Sequence, residues 1–344
     1  MIGEIKKILT TREIYIISTF FGFVLGIMLF TFYTPNYYKN STPINFEVKD
    51  GDTFSIVVDS LYSKGIINSK ANLKIAAFIY GADKKIKAGR YKIDNGLTYL
   101  DLLELLIEGS PGKQKLITIP EGIWQHKLAG LLKRELGIDS TRFMELSYDK
   151  NFLKKLDIDN FTAEGYLLPE TYYFYTNSSE EEIISKLVRE MNKVFTDEVK
   201  ERMNQLGMNK KEVLTLASII DGEANIVSEF RTISGVYHNR LNKGWMLQAD
   251  PTVQYLIRNR KKYNRILFKD LEIQSPYNTY KNKGLPPSPI NNPGKDAVLA
   301  ALYPENHNYF YFVADGTGGH KFSNSYSGHL QNVNDYRNWR SSNR

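Results

Sequence analysis

The chain contains no cysteine. Disulfides, thiol nucleophiles, thiolate metal sites and cysteine lipidation are therefore excluded. Histidine is scarce, with five in 344 residues. None stands in an H-E-x-x-H or comparable ligand spacing, so neither a catalytic metal nor another cofactor is expected. No G-x-S-x-G element provides a serine nucleophile. The glycine-dense run GTGG, Gly316 to Gly319, is not followed by a helix bearing Lys-Ser or Lys-Thr, so it is not a phosphate loop. His320 directly follows it, with no role that the sequence assigns.

Long apolar runs are missing too, with one exception. IYIISTFFGFVLGIMLFTFY, Ile14 to Tyr33, carries no charge. At about 1.5 Å per residue it reaches roughly 30 Å, the thickness of a bilayer core. Lys6, Lys7 and Arg12 precede it, which places a 1–13 tail in the cytoplasm. The following TPNYYKN offers no small-residue cleavage site, so 14–33 reads as an uncleaved anchor. The rest of a single-pass protein of the inner (cytoplasmic) membrane would then be extracytoplasmic. Nucleic acid is not an expected partner, despite a formal charge of +7. That charge has two readings: a composition rich in Lys, Asn, Ile and Tyr, or attraction to phospholipid head groups and wall polymers.

With 42% hydrophobic and 24% charged residues the chain is globular, and its length suffices for two or three domains. A polar linker, 34–43, leads to a unit at 44–112. There NFEVKDGDT and AGRYKI read as strands. Between them FSIVVDSLYSKG and NLKIAAFIYG read as helices ending at Gly65 and Gly81, and YLDLLELLIEG reads as a further helix. The order is βααβ plus a helix. A connecting α/β region, 113–208, opens with the strand and turn KQKLITIPEG and the helix WQHKLAGLLKREL. After a less regular stretch, Ser179 and Glu182 form a capping-box pattern at the start of a further helix. The third region, 209–344, holds most of the unusual local sequence. The fold class is α+β.

NKKEVLTLASIIDGEA reads as a helix with Val213, Leu216, Ala217 and Ile220 on one apolar stripe. Glu223 falls on the edge of that stripe and Asp221 on the far side, as a solvated or locally bonded acid. Two readings of Glu223 remain open. One is an ion pair with Arg231 or Arg240. The other is a desolvated acid of raised pKa, able to protonate a leaving oxygen. Gly222 allows a close approach in either case.

Asp250 before Pro251 has the form of a helix N-cap with Pro at the first helical position, and Gln248 and Thr252 would lie on that exposed turn. SPYNTYKNKGLPPSPINNPG, Ser275 to Gly294, is a long Pro-, Asn- and Gly-rich loop of the kind that usually carries function. Its Tyr277, Asn278, Thr279 and Tyr280 set aromatic faces beside hydrogen-bonding groups, a pairing suited to sugars. Asn292-Pro293 starts another helix, and NYFYFVADGTGGHKFSN reads as a hairpin.

At these residues the chain resembles the endolytic murein transglycosylases of the MltG/YceG-like type. The likeness is carried by AGRYKI, TIPEG, EGYLLPETYYF, LASIIDGEA, GVYHNRLNKGWMLQADPTVQY, SPYNTYKNKGLPPSPINNPG and YFVADGTGGHKFS. It implies a bitopic membrane protein with a LysM-like subdomain at 44–112 and a catalytic domain at 209–344 that cleaves peptidoglycan glycan strands. It makes Glu223, the second acid of an acid-x-Glu motif, the catalytic residue. The chain departs from the family in having Asp221, Gly222 and Ala224 where Glu, a bulky residue and Thr are usual. That puts in doubt a role for the first acid and for a hydroxyl at 224.

The expected reaction breaks the bond between MurNAc and GlcNAc in nascent strands near the membrane, leaving 1,6-anhydro ends and limiting strand growth. Gln248, Asp250, Thr252, Tyr277, Asn278, Thr279 and Tyr280 are the candidates for holding the sugars, and peptidoglycan synthases are possible partners. Two alternatives stay open. One is a muramidase with Glu223 as acid and Asp250 as its partner. The other is a wall-binding scaffold that makes no cut.

Overall fold

A computed structural model of the chain describes residues 10–39, 43–82, 85–108, 112–224, 226–260 and 266–343. Lys6 and Lys7, and with them most of the expected cytoplasmic tail, lie outside the described residues, as do linker residues 40–42. The chain divides into two compact units, Met1–Lys115 with Tyr175–Asn177, and Leu116–Phe174 with Ser178–Arg344. Helices and short strands mix throughout, and among the described residues the strands form three separate two-stranded sheets.

The first unit begins with helix α1, Thr11–Tyr33, started by a capping box in which the Thr10 side chain accepts from the Glu13 N–H and Glu13 reaches back. Its Thr11–Leu29 portion is long and apolar enough to cross a membrane. The βααβ order follows as expected. Strand β1 (Ile44–Val48) and strand β2 (Gly89–Ile93) pair antiparallel, Phe46 opposite Tyr91. Between them run α2 (Phe54–Ser63) and α3 (Lys70–Tyr80), and α4 (Tyr99–Ile107) comes after β2. α3 stops at Gly81, whose φ of +66° is the left-handed cap that glycine adopts without a Cβ clash.

Phe46, Leu61, Leu73, Ile93, Leu102 and Leu103 form this unit's core, and Phe32 of α1 is buried in it. The segment read as a linker is in fact held to the unit. The Asn36 N–H donates to the Leu97 carbonyl at 2.9 Å, and the Tyr38 hydroxyl donates to the Ile93 carbonyl at 2.9 Å.

Strand β3 (Gln114–Thr118) pairs with β4 (Thr171–Tyr175), a strand hidden in the sequence within EGYLLPETYYFY. In the second unit, helices α5 (Gln125–Leu136), α6 (Ser140–Leu146), α7 (Lys150–Lys155), α8 (Glu180–Val194) and α9 (Asp197–Leu206) each send apolar side chains into its core. The capping box at Ser179 and Glu182 forms as the sequence predicts. At the centre lies α10 (Lys210–Glu223), surrounded by α11 (Phe230–Asn242), α12 (Asp250–Leu256) and α13 (Lys295–Leu302). α13 begins after a Gly294 cap, two residues later than Asn292-Pro293 suggests.

A hairpin of β5 (Tyr311–Ala314) and β6 (His320–Ser323) packs with the final helix, α14 (Tyr326–Ser342), which had no counterpart in the sequence reading. One continuous core runs from Ile117 to Leu302, shared by the connecting and third regions.

Candidate functional site

α10 owes its place to its composition. Asn209 and Glu212 cap its start reciprocally, at 3.0 Å and 2.8 Å. From Val213 to Ile220 every residue is buried. A helix covered on all faces has no solvated side, and this corrects the expectation for Asp221. That acid is half-buried and turns to the N-terminus of α13, where the Gly294 N–H approaches it at 3.4 Å. Burial and the nearby Glu121 carboxylate raise its pKa to about 7, against the pull of the Gly294 and Gly122 N–H groups.

Glu223 closes the last turn of α10, and at Ala224 the backbone becomes extended. A Cβ on Gly222 would come within 2.7 Å of Pro251, so the glycine is what lets the start of α12 pack onto the end of α10. This brings Asp250 beside Glu223. The Tyr237 hydroxyl, on buried α11, donates to Glu223 Oε1 at 2.5 Å. Protein surrounds the carboxyl except where a cleft of about 400 Å³ reaches it. Burial pushes its pKa up to about 8, and the charge of Asp250 adds to the rise. The Tyr237 hydrogen bond and Arg240 oppose it.

Neither arginine weighed as an ion-pair partner serves as one. Arg231 donates to the Tyr303 carbonyl at 2.8 Å. Arg240 lines the cleft but donates to the carbonyls of Phe310, at 2.8 Å, and Leu247, at 2.5 Å. It thereby ties two loops together and leaves a positive potential near the acid.

Of the seven residues proposed to hold sugar, three line this cleft: Gln248, Asp250 and Tyr280. Gln248 is exposed and holds φ at +48°, a left-handed conformation uncommon outside glycine. Asp250 is the first helical residue and Ala249 the cap, so Asp250 makes no capping bond. Its carboxylate instead accepts the Tyr280 hydroxyl at 2.6 Å.

The other four turn inward. Thr252 and Thr279 are buried and share a hydrogen bond at 2.9 Å, and Thr279 also accepts the Ala249 N–H. The expected exposed turn at Thr252 is thus a buried joint between α12 and the 275–294 loop. Asn278 is fully buried and its amide serves the Leu271 and Ile273 carbonyls. Tyr277 stacks obliquely on Tyr255 and bonds Ser288. The loop's composition thus serves mainly its own internal order.

The remaining cleft wall includes Tyr311, Phe312, His320, Tyr326 and His329. His320 is fixed by Glu229, which accepts its N–H at 2.9 Å and lies 2.7 Å from its Nδ1. Sequence reasoning missed this wall. The hairpin's aromatic density was visible, but the 91 positions between Glu229 and His320 left no local signal. Among the described residues no three His, Asp or Glu side chains converge as a metal site.

A single desolvated acid on the floor of a groove with aromatic and hydrogen-bonding walls is the arrangement of an enzyme that protonates an oxygen leaving group. The profile of the YceG-like family matches residues 46–335, and the chain belongs to that family. It is 32% identical over 305 residues to an endolytic murein transglycosylase of Bacillus subtilis (strain 168), covering 84% of each chain. A protein of the same name from Streptococcus pneumoniae (strain ATCC BAA-255 / R6) is 28% identical over 286 residues, which cover 74% of this chain and 51% of that one. The crystal structure of a yceG-like protein from Listeria monocytogenes is 29% identical, covers 85% of this chain and 99% of its own, and superposes with a TM-score of 0.58.

Proposed function

We propose that the protein is a peptidoglycan lytic transglycosylase that cuts the MurNAc–GlcNAc β-1,4 bond within nascent glycan strands, close to the membrane that α1 spans. The observation that carries this reading is Glu223, neutral near pH 7 through burial and facing a sugar-sized cleft. The names of the relatives support the substrate.

Neutral Glu223 donates its proton to the glycosidic oxygen as the bond to C1 breaks. The Tyr237 hydroxyl stabilises the carboxylate that forms. The same carboxylate then takes the proton of the MurNAc C6 hydroxyl as that oxygen bonds to C1. The product carries a 1,6-anhydro end and no water is consumed. Tyr311, Phe312 and Tyr326 offer faces to sugar C–H surfaces, and Gln248 and the Asp250–Tyr280 pair offer hydrogen bonds at the rim. The β1–α2–α3–β2 unit, read as LysM-like, adds a second hold on glycan. Release of strands at the membrane would limit their elongation and puts synthases among the natural partners.

Asp250 favours one second reading. A carboxylate in the same cleft could orient water, and hydrolysis would follow. The test is mass spectrometry of products from polymerised glycan incubated with the full chain in detergent. Ends one water lighter than reducing MurNAc support transglycosylation. Reducing ends mean a muramidase, and intact strands mean a scaffold.

A further inference from the structure

The outer face of α3 is apolar. Leu73, Ala76 and Ala77 point into the first unit's core, while Ile75, Phe78 and Ile79 point out. Their spacing, i, i+3 and i+4, makes one stripe. Phe78 is 83% exposed, the most exposed large apolar side chain described in this unit. A stripe of this kind on a soluble surface calls for a partner.

The packing of α1 says which partner. α1 packs against α3 and α4, and both Met28 and Phe32 abut the first unit's core. The apolar run of α1 ends at Tyr33. At about 1.5 Å per residue, Met28 lies roughly 7 Å below that end. Met28 also lies one residue before Leu29, the end of the portion long enough to span, so the unit whose core it abuts, and whose α3 packs against α1, sits at the membrane boundary. Tyr33, Tyr37, Tyr62 and Tyr80 are all exposed in the same unit, the residue type that gathers at membrane–water boundaries. Lys70 and Lys74 lie at the start of α3, paired with Asp59 and Ser55.

We infer that the outer face of α3 is a lipid-docking surface, with Ile75, Phe78 and Ile79 seated at the boundary between acyl chains and head groups. Interfacial helices bury such faces about 5–10 Å deep. The first unit then rests on the bilayer instead of swinging above it on a tether. This inference depends on the reading of α1 as a membrane span, and it is independent of the chemistry at Glu223.

Because the chain has no cysteine, single spin labels report cleanly. The full chain is reconstituted in vesicles of phosphatidylcholine and phosphatidylglycerol with a nitroxide at Ile17→Cys in α1, at Phe78→Cys or Ile75→Cys, or at Lys200→Cys as an aqueous reference. Collision with oxygen, which concentrates in lipid, is compared with collision with a water-soluble nickel chelate. The expected result is an oxygen-to-nickel ratio at 78 and 75 that is several-fold above that at 200 and approaches that at 17. A label at 78 and 75 as open to nickel as the one at 200, with 17 still in lipid, overturns the docking surface and leaves the anchor standing. Labels at 78 and 75 shielded from both reagents also overturn it, in favour of a protein contact. A label at 17 open to nickel overturns the anchor and the docking surface together.

Discussion

Two carboxylic acids sit two residues apart at the end of α10, and both are pushed far above the ordinary carboxylate range. Asp221 reaches about 7 and Glu223 about 8. Burial is the first cause in each case. Their surroundings differ in access. Asp221 faces a seam of backbone, where a Cβ on Gly122 would lie 3.5 Å from its Oδ2 and the Gly294 N–H meets it from the other side. Glu223 faces a cleft large enough for sugar rings, with a tyrosine hydroxyl holding one oxygen. A raised pKa is therefore not enough to mark an acid–base residue. Glu164 reinforces the point, because it too is pushed to about 7, yet it is buried and accepts the Gln125 N–H at 2.7 Å. Access to the cleft separates the three.

The comparison breaks first at Glu223→Gln. The amide keeps the shape and can still accept from Tyr237, but it carries no transferable proton. A positioned acid contributes about 10² to 10⁴ in rate. One group serving both proton transfers should put the loss at the upper end, measured as product formation per folded enzyme. Thermal melting should show the fold intact, since no charge is left buried without a partner. Retention of activity within about tenfold would move the chemistry elsewhere.

Tyr237→Phe should cost less, about tenfold in kcat, the worth of one hydrogen bond to a charge forming in the transition state. It should also raise the pKa that governs the rate, because the hydrogen bond that favours the ionised form is gone. An unchanged pH profile would reduce Tyr237 to a packing role.

Asp221→Asn should have the smallest effect on rate, within about threefold. Its signature lies in stability. A carboxyl with a raised folded pKa holds its proton in the folded state while the unfolded chain has lost it, so stability falls as pH rises between the two values. For Asp221, Glu223 and Glu164 together that window runs from about pH 4 to about pH 8. The wild-type Tm should decline across it, and Asp221→Asn should flatten the decline below pH 7. Loss of the cut in a folded Asp221→Asn protein would reverse the assignment of the two acids.

What the sequence made legible follows from what is local. The helix cap at Ser179, the glycine stop at Gly81 and the strand–turn–strand at Tyr311–Ser323 are written within a few residues, and each stands where its signal lies. Glu223 emerged from helical spacing for a partly wrong reason. The spacing assumed an exposed face on α10, whereas the helix is buried on every face from Val213 to Ile220 and Glu223 meets the cleft because the helix ends there. The sugar-holding candidates of the 275–294 loop were read from composition, and composition cannot tell a side chain that faces solvent from one that ties its own loop. Asn278 does the latter, and Thr279 joins the loop to Thr252 of α12. Tyr237, Phe312 and His320 were out of reach, since their meeting depends on contacts between distant segments, such as the Tyr237–Phe312 ring pair at 6.0 Å.

The central claim is that the reaction begins with a neutral, desolvated Glu223. The pH dependence of kcat/KM for the wild-type enzyme tests it most directly, since that profile reports the free enzyme's acid. The account predicts activity that holds through neutral pH and falls as pH rises past about 8. A fall already complete between pH 4 and 5, where an ordinary glutamate ionises, would contradict it.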